Sequence, residues 1–329
     1  MGTANPDLMP TRRLGATEHE LSVLGFGAWA IGGGDWKYGW GSQDDEASIE
    51  AIHEAIARGV NWVDTARVYG LGHSERIVAR ALENVQERIF LVTKCAEVWD
   101  QNGEITGSMR SDSIRAELEA SLEALEGRRI DAYLIHQPNP DHQIEEGWQT
   151  LLELKEQGLV GHVGVSNFSL EQMKRAERIG PIDLIEPPYS LLDRSIEREI
   201  LPHCEDHGIG VIAYSPMASG LLTGRMSRER VQAMPDDDWR KSDPRFQDPQ
   251  LGLHLDLAAA LAEIGAEHGV PAGLVACAWV LADPRVHAGI VGFRRAEQVA
   301  EILASPELLR PSDGLLANVE GRDRWPPAP

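Results

Sequence analysis

Four side chains suited to proton transfer stand out in this chain: Asp64, Tyr69, Lys94 and His136. The stretch Asn61-Trp62-Val63-Asp64-Thr65-Ala66-Arg67-Val68-Tyr69-Gly70 reads as a short buried strand opening into a glycine-terminated loop. Lys94 follows the apolar run Ile89 to Thr93, and His136 follows the run Ile130 to Ile135. An acid, a phenol, an amine and an imidazole thus each leave the end of a β-type run, and a parallel barrel collects such ends at one mouth. A phenol has an ordinary pKa of about 10, and a neighbouring ammonium draws it toward the neutral range, so Lys94 is expected to tune Tyr69 as a proton donor. Asp64 would keep Lys94 charged and in place, because an unpaired buried ammonium is costly. His136 would orient a substrate carbonyl or share the proton transfer through a ring nitrogen. Taken singly, each has a plainer use as a surface, capping or backbone-bonded residue. The set of four at strand ends is what points to catalysis.

The elements that must carry these residues alternate. Arg12 to Val23 predicts a hairpin too small to stand alone and placed to plug one end of something larger. Leu24 to Ala30 predicts a first buried strand, followed by a glycine- and aromatic-rich loop from Ile31 to Ser42. Apolar stripes at helical spacing come next: Ile49, Ile52 and Ile56, closed by Gly59; a helix from Ser74 to about Asn84; Ile114 to Leu125, closed by Gly127; and Ile144 to Leu152, closed by Gly158. Between them lie strands at Asn61 to Thr65, before Lys94, before His136 and at Val160 to Val165. Ser169 with Gln172 forms a capping box, with Phe168 and Met173 placed as a hydrophobic staple. A strand at Ile182 to Glu186, a helix from Ser195 to His207 and a strand at Gly210 to Tyr214 continue the pattern. Ser215 to Pro249, rich in Pro, Gly and Asp, predicts a functional loop. Helices at Leu253 to His268 and Ala272 to Leu281, a strand at Ala288 to Val291 and a short helix from Ala296 complete it, with an irregular tail from Ser305.

Eight strand runs alternating with helices, and no low-complexity linker, predict an α/β (β/α)8 TIM barrel with an N-terminal β-hairpin and extra helices near the C-terminus. Residues 1–329 are expected to form a single domain, with 1–11 flexible. The 329 residues include 52 acidic and 31 basic side chains, a net charge of −21 that disfavours nucleic acid and acidic membrane surfaces as partners. Cys95, Cys204 and Cys277 are widely spaced without a paired motif, so neither a disulfide framework nor a metal site is expected. The absence of a signal-peptide pattern and of any apolar run of bilayer length predicts a cytoplasmic protein. The oligomeric state is left open.

The ordered motifs Asp64-Thr65-Ala66, Tyr69-Gly70, Ser74-Glu75, Thr93-Lys94, Ile135-His136, Gly164-Val165-Ser166-Asn167-Phe168, Ser215-Pro216 and Ser219-Gly220-Leu221-Leu222-Thr223-Gly224 resemble the aldo-keto reductases along essentially the whole chain from Leu14 to Leu303. Glu186-Pro187-Pro188-Tyr189 is similar to a stretch of bacterial members. The resemblance implies Tyr69 as general acid, with Asp64, Lys94 and His136 completing a tetrad, and hydride transfer from NADPH to a small-molecule aldehyde or ketone. It implies cofactor contacts from Gly27, Ala28, Trp29, Asp64, Ser166, Asn167, Glu186, Tyr214, Ser215, Pro216, Met217, Gly220, Leu222, Gly292, Arg294 and Gln298. Ser166 and Asn167 would bond the nicotinamide carboxamide, Tyr214 would stack on its ring, and Arg294, with Arg295, would grip a 2′-phosphate, which selects NADP over NAD.

Three positions depart from the family pattern, one of them Ile302, which stands where an Asn often meets the adenine. Glu186 stands where Gln is usual, so it is either protonated or a weaker partner for the carboxamide. Arg67 stands where many relatives have Pro, turned to solvent or reaching toward an anionic substrate. Trp29, Trp36, Tyr38 and Trp99 are candidates for an aromatic substrate pocket, or else pack the loops themselves. Two other functions compete: a nicotinamide-binding regulatory subunit of the same fold with weak turnover, and a Schiff-base lyase using Lys94.

Overall fold

Period-two alternation sorts each barrel strand into an inner and an outer face, and the two faces carry different jobs. The computed structural model describes residues 9–309. Most of the segment expected to be flexible lies outside these residues. Where it is described, Met9 is buried and Thr11 opens a strand, because the Val23 amide donates to Pro10 O at 2.8 Å and ties this end down.

Strands β1 (Thr11–Arg13) and β2 (Glu20–Ser22) form the expected antiparallel hairpin. The barrel strands are β3 (Leu24–Gly27), β4 (Trp62–Asp64) and β5 (Phe90–Cys95). After a second hairpin, β6 (Glu97–Trp99) with β7 (Ile105–Gly107), come β8 (Ala132–Ile135), β9 (His162–Ser166), β10 (Leu184–Glu186), β11 (Gly210–Tyr214) and β12 (Ala288–Gly292). They close in the parallel order β3-β4-β5-β8-β9-β10-β11-β12, with β12 returning to β3. The helices are α1 (Asp45–Ala57), α2 (His73–Leu82), α3 (Ser111–Ala124), α4 (Ile144–Glu156), α5 (Leu170–Glu177), α6 (Ile200–His207), α7 (Arg228–Gln232), α8 (Gln250–His268), α9 (Ala272–Leu281) and α10 (Ala296–Ile302). Local signals set their ends. Asp44 accepts from the Ala47 amide at the start of α1, Ser169 and Gln172 make both halves of the capping box on α5, and Gly208 closes α6.

Outward residues such as Val63, Leu91, Ile135, Val165, Ile185 and Val211 join the helices in one apolar core. Inward residues Trp62, Phe90, Val92, Leu134, Leu184 and Ile212 fill the barrel, with Leu14 and Leu21 of the hairpin sealing the bottom. Trp62 fits because position 25 is glycine: a Cβ there would stand 2.0 Å from its ring. One further step of two along the same strands brings Asp64, Lys94, Ser166, Glu186 and Tyr214 to the upper rim.

Three parts of the chain depart from expectation. The hairpin β6–β7 was not foreseen, because its alternation spans only three residues on each side. The excursion from Ser215 contains 3-10 turns at Ala218–Thr223, Trp239–Ser242 and Pro244–Phe246 as well as α7, and so has internal structure. The tail forms a 3-10 turn at Pro306–Leu309, and its remainder lies outside the described residues. Among the described residues no single helix is long and apolar enough to cross a membrane.

Candidate active site

Asp64 and Lys94 end the inward rows of β4 and β5, and His136 follows β8, its amide donating to Cys95 O at 3.0 Å. Tyr69 does not leave a strand end, as its run had suggested. It lies five residues beyond β4 in a turn closed by its own amide on Ala66 O at 3.1 Å. Ser74 pins that loop by donating to Ala28 O at 2.8 Å, and Gly70, at φ +59°, passes so close to Gly32 that a Cβ would stand 2.0 Å from Gly32 O. The loop therefore swings the phenol back over the rim.

The four residues converge. Lys94 Nζ donates to Asp64 Oδ2 and, at 3.0 Å, to Thr65 O, and it stands 5.5 Å from the centroid of the Tyr69 ring. Tyr69 Oη lies 3.5 Å from His136 Nε2. His136 Nδ1 faces Glu97 Oε2 at 2.7 Å. Glu186 Oε2 stands 3.1 Å from Lys94 Nζ, so one buried ammonium meets two carboxyl groups.

Burial sets the electrostatics. Lys94 is held charged, well above its ordinary range: burial works against the charge, but the Asp64 carboxylate bonded to it outweighs it. Glu186 is pushed up to about 8, by burial first and by Asp64 second, against the pull of Lys94, and so carries a proton at neutral pH. Tyr69 does not become more acidic, contrary to expectation. Burial raises it far above its ordinary value, Asp64, Glu186 and Glu97 add to the rise, and Lys94 opposes them without prevailing. The phenol thus keeps its proton. Glu97 is lowered, because His136, Lys94 and Lys37 more than offset its burial.

These residues floor a cleft of about 1020 Å³. At the tetrad end, Glu186 Oε1 is buried without a hydrogen-bond partner, beside Ser166 and Asn167. With Oε2 turned to the Lys94 ammonium, the proton of Glu186 belongs on Oε1, where a carboxamide oxygen can accept it, so the residues fit a nicotinamide there. Asn167 is locked in place: Nδ2 donates to His136 O at 3.0 Å, and Oδ1 accepts from Tyr214 Oη at 2.7 Å. Gly27, Trp29, Ser215, Pro216, Met217, Gly220, Gly292, Arg294 and Gln298 line the cleft, whereas Ala28 and Leu222 are fully buried behind its wall.

Of the expected aromatic pocket, Trp29, Trp36 and Tyr38 line the cleft. Trp29 stacks between Tyr69 (6.2 Å) and Trp239 (5.3 Å). Trp99 is set back from the cleft, its ring lying under the Arg67 guanidinium at 4.6 Å, so these two residues pack one another and Arg67 is only half-exposed.

The far end of the cleft differs from expectation. The Arg294 fork is engaged by the loop opposite, bonding Gln43 Oε1 at 2.7 Å, Trp40 O at 3.0 Å and Ser42 O. It fastens that loop, while Arg225, Arg230, Arg240 and Arg295 join it around the cleft. Arg230 is lowered by burial first and by Arg240, Arg225 and Arg295; Arg240 is paired with Asp238 and Arg225 with Glu301, which leaves Arg230 and Arg295 as the local surplus of positive charge. Gln298 caps α10 by accepting from the Arg294 and Arg295 amides. The sequence reading missed Glu97, Arg225, Arg230 and Arg240. Only the length and charge of the excursion after Ser215 hinted at the arginines, and nothing local singled out Glu97.

The sequence profile of the Aldo/keto reductase family matches residues 23–315. Aldo-keto reductase YhdN of Bacillus subtilis is 36% identical over 283 residues, covering 85% of this chain and 83% of its own. An NADH-specific methylglyoxal reductase of Escherichia coli is 34% identical over 308 residues, covering 89% of this chain and 92% of its own. The structure of the glycerol dehydrogenase AKR11B4 from Gluconobacter oxydans superposes with a TM-score of 0.81 at 33% identity, covering 97% of each chain. By profile, relatives and fold together, this chain belongs to the aldo/keto reductase family.

Proposed function

We propose that the protein is an NADP(H)-dependent oxidoreductase that reduces a small aldehyde or ketone to an alcohol, or runs the reverse reaction, with Tyr69 as general acid. The observation that carries this reading is the buried constellation in which Tyr69 Oη faces His136 Nε2 at 3.5 Å above the Asp64–Lys94 pair. A bound nicotinamide supplies the hydride. Tyr69, kept protonated by burial, donates its proton to the carbonyl oxygen as the carbon takes up the hydride. Lys94 stabilises the tyrosinate left behind, and Asp64 keeps Lys94 charged. Glu97, accepting from His136 Nδ1–H, holds the ring so that Nε2 faces Tyr69 Oη, and the tyrosinate regains its proton from solvent through the open cleft.

Ser166, Asn167 and Glu186 would hold the carboxamide, the protonated Glu186 replacing the usual amide. Tyr214 would stack on the ring, and Arg230 and Arg295 would meet the phosphates, with Arg240 held on Asp238 behind them. The arginine excess supports NADP. The name of one relative, an NADH-specific reductase, makes NADH the necessary comparison. The names of the relatives also favour small oxygenated carbonyls such as methylglyoxal or glyceraldehyde as first substrates. The Schiff-base alternative needs a neutral amine, and the Asp64 carboxylate opposes that at Lys94. Free, buried and unpaired Cys95, Cys204 and Cys277 support a reducing, cytoplasmic setting for what we read as a single catalytic domain.

The test is NADPH consumption with 4-nitrobenzaldehyde and a small-carbonyl panel, NADH in parallel. Equal rates for the parent and Tyr69→Phe would remove Tyr69 from the role of acid.

A further inference from the structure

Glu177 is the last residue of α5, and His203 and His207 stand four apart on α6, which places the two imidazoles on one helix face. None of the three lines the catalytic cleft. Both helices run back from the rim, so their C-terminal ends lie toward the opposite end of the barrel. The rings of His203 and His207 are 4.1 Å apart between centroids and inclined by 30°. His203 Nε2 stands 2.9 Å from Glu177 Oε2. His207 Nδ1 lies 2.8 Å from His203 O, so it carries the hydrogen and donates, leaving the Nε2 lone pair free.

These are the features of a metal site. A ligating histidine typically donates its other ring N–H to a carbonyl or carboxylate, as His207 does here. Zinc bonds to imidazole nitrogen and carboxylate oxygen are about 2.0 to 2.2 Å, so two ligand atoms on one tetrahedral ion stand roughly 3.3 Å apart. The His203–Glu177 pair is already within a few tenths of an ångström of that spacing. One ligand atom from each of the three residues falls within 4.8 Å of the others, and His207 is exposed at the end of α6. Two imidazoles and one carboxylate suit a late first-row divalent cation, with water in the fourth position. We propose that Glu177, His203 and His207 bind a divalent ion of the zinc type that cross-links α5 to α6. The link joins the two units that present Asn167, just before α5, and Tyr214, shortly after α6.

The competing reading is that His203 and Glu177 form only a structural hydrogen bond. Untagged, chelator-stripped protein titrated calorimetrically with zinc chloride alone separates the two. The proposal expects one ion per chain at this site, a higher Tm with zinc present, and a cobalt-substituted form with the visible absorption of a tetrahedral N/O site. His207→Ala removes an exposed ligand without touching the core, and should weaken zinc binding about tenfold or more while aldehyde reduction without zinc stays unchanged. Glu18, His19 and His162, grouped at the N-terminal hairpin, are the control. Binding that survives His207→Ala, that disappears in His19→Ala instead, or that is never detected, overturns the assignment. Because the readout is ion binding, it succeeds or fails independently of the catalytic reading.

Discussion

Lys94 Nζ lies 3.1 Å from Glu186 Oε2 while also bonded to Asp64, so a single buried ammonium serves two carboxyl groups. Two carboxylates and one ammonium would leave a net negative charge in a site closed to water. The proton on Glu186 resolves this.

Glu186 has a pH signature. Its ordinary value is 4.5 and burial raises it to about 8 in the folded chain. Between those values the folded state binds a proton that the unfolded chain has released, so stability falls as pH rises through this window. Glu186→Gln removes the effect. From pH ~6 to pH ~9 the parent should lose about 2 to 3 kcal/mol relative to the variant, measured by urea unfolding. Parallel curves would show that Glu186 is ionised throughout.

Tyr69→Phe should lower kcat by about 10²- to 10⁴-fold, the usual contribution of a positioned acid, while the Kd for NADPH stays within about twofold. Fluorescence titration and steady-state kinetics on one preparation separate the two quantities.

Lys94→Met leaves Asp64 and Glu186 facing each other without a cation. Breaking a buried pair in this way costs about 3 to 5 kcal/mol. Adding Asp64→Asn should recover part of that loss of stability but none of the activity, and chemical denaturation of the two single variants and the double variant measures the coupling.

Glu97 receives His136 Nδ1 at 2.7 Å. Glu97→Ala frees the ring to turn and to change tautomer, and should reduce kcat about tenfold or more with little change in NADPH affinity. An unchanged kcat would mean that His136 is oriented by other contacts.

Arg230→Ala and Arg295→Ala should each weaken NADPH by about 10- to 100-fold, the worth of one or two charge-assisted bonds, and weaken NADH much less. Equal losses for both cofactors would place these arginines on the pyrophosphate. Arg294→Ala should weaken both, because its guanidinium fastens the loop at Trp40 to Gln43.

Much of this architecture is written in local periodicity. Alternation by two, as in Trp62 then Asp64 or Val92 then Lys94, already separates barrel filling from rim chemistry, and the Ser169–Gln172 box and Gly208 mark helix ends that the structure reproduces. Such signals lie within a few residues of each other, where backbone geometry alone decides the outcome. The return of Tyr69 over the rim, by contrast, needs Gly70 to pass against Gly32 and Ser74 to reach Ala28, contacts between segments that no single run encodes.

The order of strands and helices, and the residue types able to move a proton, were therefore determined by the chain's own pattern of apolar and polar positions. Barrel closure alone decided which charges meet: Glu97 with His136, Glu186 with Lys94, and arginines from the excursion after Ser215 with those before α10. It also turned Trp99 from the cleft to Arg67. Burial and Coulomb effects depend on distance in space, which periodicity does not carry, so the protonation states of Tyr69 and Glu186 were open until the fold was known.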